Sequence, residues 1–177
     1  MARIAMVVGD IARQRADAIV TAANTGLRGG GGVDGAIHAA AGPSLLRQCR
    51  ALGGCETGDA KVTSAGGLDA DWVIHAVGPV WQGGGEGEDA LLVRCYTRAL
   101  DLAIARGCAS IAFPAISCGI FGFPVQRAAA LALGALRAAE DSPLIEEIRL
   151  VLYDRPTYRI FMGALQASDA RRRGPQR

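Results

Sequence analysis

A chain of 177 residues and 18.3 kDa, half hydrophobic and one fifth charged, suffices for one domain with a sizeable core and is too apolar to be disordered in bulk. Its net charge of +2, carried almost wholly by arginine with Lys61 the sole lysine, gives no footprint for nucleic acid. Five cysteines, an odd number without a C-x-x-C pair, offer neither a disulfide framework nor a zinc spacing, and no signal peptide or bilayer-length apolar run accompanies them, so a reduced cytosolic protein is expected.

In chain order, Arg3–Val8 and Ala18–Thr21 read as strands, with Gly9-Asp10-Ile11 after the first and an Asn24–Gly32 loop after the second. Val33–Ala41 and Ser44–Leu52 read as helices split at Gly42-Pro43, where proline begins a helix but cannot continue one. Ala60–Ala65 and Trp72–Val77 read as strands joined through Gly66-Gly67. Trp81–Asp89, with Gly83–Gly85 and three acids, reads as a mobile surface insertion. Helical spacing of Leu92, Cys95, Tyr96, Ala99 and Ala103 marks a helix over Asp89–Arg106, stopped by Gly107. Ser110–Phe113 reads as a buried strand, Val125–Glu140 as a helix, Glu147–Leu152 as the last strand and Thr157–Ala167 as a closing helix. Strands interleaved with helices imply an α/β layered fold with both sheet faces covered. No helix separates the first two strands, so mixed pairing is expected at an edge. Residues 1–168 form one domain, and 169–177, with Arg171–Arg173, read as a flexible basic tail.

Glycine is the outlier, 24 of 177 residues, and it clusters in two loops, Gly29–Gly35 and Ser117–Gly122. Each follows a strand, and each can aim backbone amides at an anion, so a diphosphate held between them is expected. Neither carries the lysine of a Walker loop, and G-x-G-x-x-G fits Gly30–Gly35 only with a shifted register. Neutral amides and helix dipoles would then hold the phosphates. Asp34 lies at the first loop; His38, four residues on, shares its helix face. His75 lies within an apolar strand and reads as a satisfied core histidine.

The order of Gly9-Asp10-Ile11, the run Ala18–Asn24 (AIVTAAN), Gly29–His38 (GGGGVDGAIH), Ile74–Pro79 (IHAVGP) and Phe113–Pro124 (FPAISCGIFGFP) resembles a macrodomain of the MacroD type, over roughly residues 9–154. The resemblance implies a three-layer α/β/α sandwich with a central mixed sheet and an ADP-ribose cleft. It also implies hydrolase activity on ADP-ribosylated protein side chains or on O-acetyl-ADP-ribose, with no redox cofactor. A monomer is expected, and the sequence, with no metal-ligand cluster, bilayer-length apolar run or basic excess, predicts no metal, membrane or nucleic-acid partner. A non-catalytic ADP-ribose reader is the alternative. By motif, Asp10 accepts from the adenine amino group, Ile11 packs beside the base and Tyr153 stacks on it. Asn24 bonds the distal ribose, with Thr21, Gly30, Gly31, Gly32 and Val33 around that end. Ser117, Cys118, Gly119, Ile120 and Phe121 hold the diphosphate, Phe121 also packing on the sugar. Asp34 orients or deprotonates the attacking water, unless the diphosphate itself places it, and His38 assists. The family's N-A-A-N is Thr21-Ala22-Ala23-Asn24 here, and its S-T-G is Ser117-Cys118-Gly119. The first departure puts rate or substrate preference in question, while the second leaves the phosphate-binding amides in place.

Overall fold

The computed structural model describes residues 1–174. Its strands are β1 (Arg3–Val8), β2 (Ala18–Ala22), β3 (Ala60–Ser64), β4 (Trp72–Ala76), β5 (Ser110–Phe113) and β6 (Glu147–Leu152). The helices are α1 (Gly32–Ala41), α2 (Pro43–Leu52), α3 (Glu88–Ala105), α4 (Val125–Arg137) and α5 (Arg155–Arg173), with a 3-10 turn at Ile11–Arg13. No helix among the described residues is long and apolar enough to cross a membrane.

One six-stranded sheet runs in the order β1-β6-β5-β2-β4-β3. All neighbours are parallel except β3 and β4. Mixed pairing therefore lies at an edge, as expected, and the strand that carries it is β3. β1 pairs in parallel with β6 from Arg3↔Glu147 to Val8↔Leu152, because the chain after β1 crosses to β2 in the sheet interior instead of turning back. The antiparallel pair is β3 and β4, joined by the short Gly66-Gly67 turn.

The two faces of each strand feed two cores. Ala18 and Val20 of β2 pack with Leu92, Tyr96, Ala132 and Phe161 of the α3, α4 and α5 layer. Ile19 faces the opposite side, with Ile37 of α1 and Leu45 of α2. Thr21 and His75, partners on one β2/β4 rung, follow the alternation of Ile19 and Val73. Both are fully buried. A three-layer α/β/α sandwich results, as the resemblance implies.

Two loop expectations need correction. The 81–89 segment is tied down: the Glu88 carboxylate, 1% exposed, accepts the amides of Gln82 (2.9 Å), Gly84 (2.8 Å) and Glu86 (2.6 Å). Trp81 packs on Phe123 with ring centroids 4.8 Å apart, and Arg127 lies over Trp81 while forking onto Asp89. Glycine-rich composition hid a carboxylate that organises the turn. The last helix is also longer than expected at both ends. Asp154 caps it by accepting from the Thr157 amide at 2.8 Å, and it continues to Arg173. Arg137 reaches both Glu140 and Asp169, and Arg172 reaches Glu140, so residues 169–173 are docked helix where a flexible tail was expected. The rest of that tail, residues 175–177, lies outside the described residues.

Candidate functional site

Parallel strands β1, β6, β5, β2 and β4 end on one side of the sheet, and the loops leaving them carry the sequence-predicted residues. Along that rim stand Asp10 after β1, Asn24 and the glycine loop after β2, Gly78 after β4, Ser117–Gly122 after β5 and Tyr153 after β6.

The first loop is fastened from inside. Asn24 Nδ2 donates to the Gly29 carbonyl at 2.8 Å, and Asn24 Oδ1 accepts from the Arg28 amide at 3.1 Å. One donor and one lone pair of that amide group remain for a ligand. Leu27, at φ 51°, is 2% exposed and pins the loop to the core. The loop then lies on α1: a Cβ at Gly35 would stand 2.4 Å from the Gly30 carbonyl oxygen, an approach that only glycine permits. The amides of Gly32, Val33 and Asp34 form the first turn of α1, where a helix leaves its donors without partners. Gly30 and Gly31 are exposed beside them.

Below this turn sits Asp34, 5% exposed. Thr21 Oγ1 donates to Asp34 Oδ1 at 2.8 Å, and His38 Nε2 lies 3.6 Å from the same oxygen. Burial pushes the Asp34 carboxyl above its ordinary 3.8, while the Thr21 hydroxyl and His38 oppose the rise. The departure from N-A-A-N thus has a structural consequence: the shorter hydroxyl on β2 reaches the carboxylate directly.

His38 leads into a second polar group. Its ring lies 6.2 Å from that of His75, whose Nε2 is 2.9 Å from Thr63 Oγ1. Burial holds His75 down at about 4, so it is neutral, as expected for a satisfied core histidine. Cys49 Sγ completes the group, its pKa pushed up to about 11 by burial. Among the described residues, His38, Cys49 and His75 alone bring three metal-ligating atoms within 4.8 Å of one another. Their softness would suit zinc. Cys49 Sγ stands 3.8 Å from His75 Nδ1 and 3.7 Å from Nε2, and His75 Nε2 is also engaged by Thr63 Oγ1 at 2.9 Å, so that ring nitrogen has a protein partner already. Sequence spacing could not reveal this group, since its members come from α1, α2 and β4.

The second loop is held by Phe123 N to Ser117 O (2.9 Å), Gly122 N to Gly119 O (3.0 Å) and Trp81 N to Phe121 O (2.8 Å). Among the described residues, the amides of Gly119, Ile120 and Phe121 meet no acceptor. Ser117 holds φ at 65° with its hydroxyl buried and unpartnered. A Cβ at Gly78 would fall 2.1 Å from that Oγ, so β4 and β5 can bring their loops together only with glycine there. Tyr96 of α3, a residue that sequence periodicity assigns only to packing, props the approach: its hydroxyl donates to Pro114 O and accepts from Ile116 N, both at 3.3 Å. Cys118 is an inert thiol, since burial pushes it up to about 12. Phe121 is half-buried, and Ile120 projects at 94% exposure.

At the far end Asp10 caps the 3-10 turn, accepting from the Ala12 amide at 2.9 Å through Oδ1. Its Oδ2 is 3.9 Å from Arg13 Nε, leaving that oxygen open to a further donor. Ile11 is 3% exposed in the core with Ile19 and Ile37, so its first task is packing. Tyr153 is 80% exposed next to the end of β6, a free aromatic face at the rim.

A family model for the Macro domain matches residues 20–132. A macro domain-containing protein of Methanosarcina mazei is 51% identical over 164 residues, 92% of this chain and 88% of the relative. The Oceanobacillus iheyensis macrodomain with ADP superposes with a TM-score of 0.89 at 38% identity, over 93% of this chain and 90% of that one. The Trypanosoma brucei macrodomain in complex with ADP-ribose gives 0.86 at 38% identity, over 92% and 68%.

Proposed function

The chain belongs to the Macro domain family, and we propose that it binds ADP-ribose and hydrolyses its conjugates, in the manner of the MacroD type. The substrates are mono-ADP-ribosylated acidic side chains, O-acetyl-ADP-ribose, or both. Complexes of its structural neighbours with ADP and ADP-ribose support the ligand. The observation that carries the hydrolase reading is the Asp34 carboxylate: buried, held by Thr21 Oγ1 at 2.8 Å, and placed where the free amides of α1 begin.

On this reading the diphosphate sits between the first turn of α1 and the amides of Gly119, Ile120 and Phe121. Adenine lies toward Tyr153 and the open oxygen of Asp10, and the distal ribose falls beside Asn24, Gly30 and Asp34. Departure of a carboxylate from the anomeric carbon develops positive charge on the sugar, which an adjacent carboxylate stabilises while it orients and deprotonates water. For the acetyl ester, the same activated water attacks the acyl carbon. A raised pKa makes Asp34 a stronger base than an exposed aspartate, and the Thr21 and His38 contacts favour its ionised form. A reader would need the amide loops but not a buried carboxylate at the ribose.

The test is turnover by the wild-type protein of glutamate-linked mono-ADP-ribose and of O-acetyl-ADP-ribose, measured with its affinity for ADP-ribose. Release of ADP-ribose from either substrate supports the hydrolase. Tight binding with neither substrate consumed would make the protein a reader.

A further inference from the structure

Behind the first glycine loop lies a second concavity of about 520 Å³, lined by Thr25, Arg28, Leu46, Arg50, Gly53 and Gly54 among others. It is separate from the amide cleft but shares a wall with it. The loop that faces Asp34 on one side presents Thr25 and Arg28 on the other, and Asn24 links the two through its bond to the Arg28 amide. Cys55 N to Thr25 O, at 2.9 Å, locks the loop to the chain beyond α2.

The charge of this cleft is unbalanced. Arg3, Arg98, Arg127, Arg137, Arg149 and Arg172 each reach a carboxylate. Arg28 and Arg50 line the cleft exposed, and neither makes an ion pair among the described residues. A Cβ at Gly26 would meet Arg28 Nε at 3.0 Å, so the Arg28 side chain folds back across the loop toward this rim. Two unpaired guanidinium groups on one concavity suit carboxylates, which each fork can take bidentately.

We propose that this cleft receives the polypeptide that carries ADP-ribose, through acidic residues flanking the modified side chain. The inference rests on the ligand placement above: with the distal ribose beside Asn24 and Gly30, the attached chain emerges at this loop and must cross one of its faces. Arg28 and Arg50 then select acidic protein segments over small conjugates such as O-acetyl-ADP-ribose, which cannot reach the cleft.

The probes are two peptides bearing ADP-ribose through a hydrolysis-resistant linkage, one flanked by Glu and Asp and one by Ser and Gly, with free ADP-ribose as reference. Wild type should bind the acidic peptide about fivefold to tenfold more tightly than the neutral one, the scale of two exposed ion pairs. An Arg28→Ala/Arg50→Ala variant should lose that preference and keep its affinity for free ADP-ribose. The exposed Arg47 on α2 serves as control, since Arg47→Ala should change neither. High salt should erase the preference as well. Equal affinity of wild type for both peptides, or a double variant that retains the preference, overturns the proposal. Because the probes are not consumed, failure of the hydrolase reading appears separately, as absent turnover with the peptide preference intact.

Discussion

Thr21 and Asp34 are joined by a 2.8 Å hydrogen bond across the interface between β2 and α1, with both residues buried. The bond fixes one oxygen of the proposed catalytic carboxylate and favours its ionised form. Thr21→Val, which keeps the shape and removes the donor, should push the Asp34 pKa higher still. The acidic limb of the pH–rate profile then moves up, and kcat at neutral pH falls about tenfold, or ~1.4 kcal/mol of barrier, with KM little changed. Stability should drop by about 1–3 kcal/mol, the cost of leaving a buried acceptor unpaired. Thr21→Ser should behave as wild type. A pH profile identical for Thr21→Val and wild type would show that the hydroxyl does not tune the carboxylate.

Asp34 also has a predictable effect on stability. Its folded pKa is raised above the ordinary 3.8 by burial. Its contribution is therefore fully present below pH 3.8 and lost as the pH climbs through the raised value. At neutral pH the ionised group opposes folding. Asp34→Asn, which still accepts from Thr21, should raise Tm at neutral pH by about 2–4 °C for each kcal/mol relieved. The gain should shrink as the pH falls toward 4. Calorimetric melts across that range check both the sign and the trend.

Two glycines should respond in opposite ways to the same methyl. In Gly35→Ala the added carbon falls 2.4 Å from the Gly30 carbonyl oxygen, so the first loop must lift off α1. ADP-ribose affinity should fall at least about tenfold, roughly 1.4 kcal/mol. Gly134, exposed in the interior of α4 with open space around it, lacks such a neighbour. Gly134→Ala should stabilise the protein by about 0.5–1 kcal/mol and leave affinity unchanged. Titration and melting of the two variants side by side separate loop geometry from helix propensity.

Glu88 organises the 82–87 turn, and its backbone donors, first among them the Gln82 amide, hold its carboxyl down to about 2. A depressed value means that its contribution is present above 4.5 and lost as the pH falls toward 2. Glu88→Ala should free the turn and make it the first site of cleavage in limited proteolysis. An unchanged cleavage pattern would mean that Trp81 and the Arg127–Asp89 pair hold the segment without it.

The parts of this fold legible in the sequence are those written in local pattern. Alternation and glycine stops mark the six strands and five helices of the described residues, and two glycine loops after strands mark the cleft. What could not be read depends on residues meeting across elements. The rung that sets Thr21 beside His75 comes from strand register, and the Cys49–His75 contact comes from α2 folding over β4. Glu88 reads as one of three acids in a mobile insertion, because its three amide partners lie in a turn that takes shape only around its carboxylate and the neighbouring Trp81 and Asp89 contacts. Which edge strand runs antiparallel is equally illegible, because nothing local distinguishes a strand that turns back from one that crosses the sheet.

The central claim is that Asp34 performs the chemistry while the amide loops do the binding. Asp34→Asn, assayed beside wild type for ADP-ribose affinity and for release of ADP-ribose from a glutamate-linked conjugate, tests it most directly. The prediction is affinity within about threefold of wild type and turnover reduced by at least about a hundredfold, the scale of a lost general base. Turnover preserved within a few fold, or affinity and turnover lost in equal proportion, would contradict it.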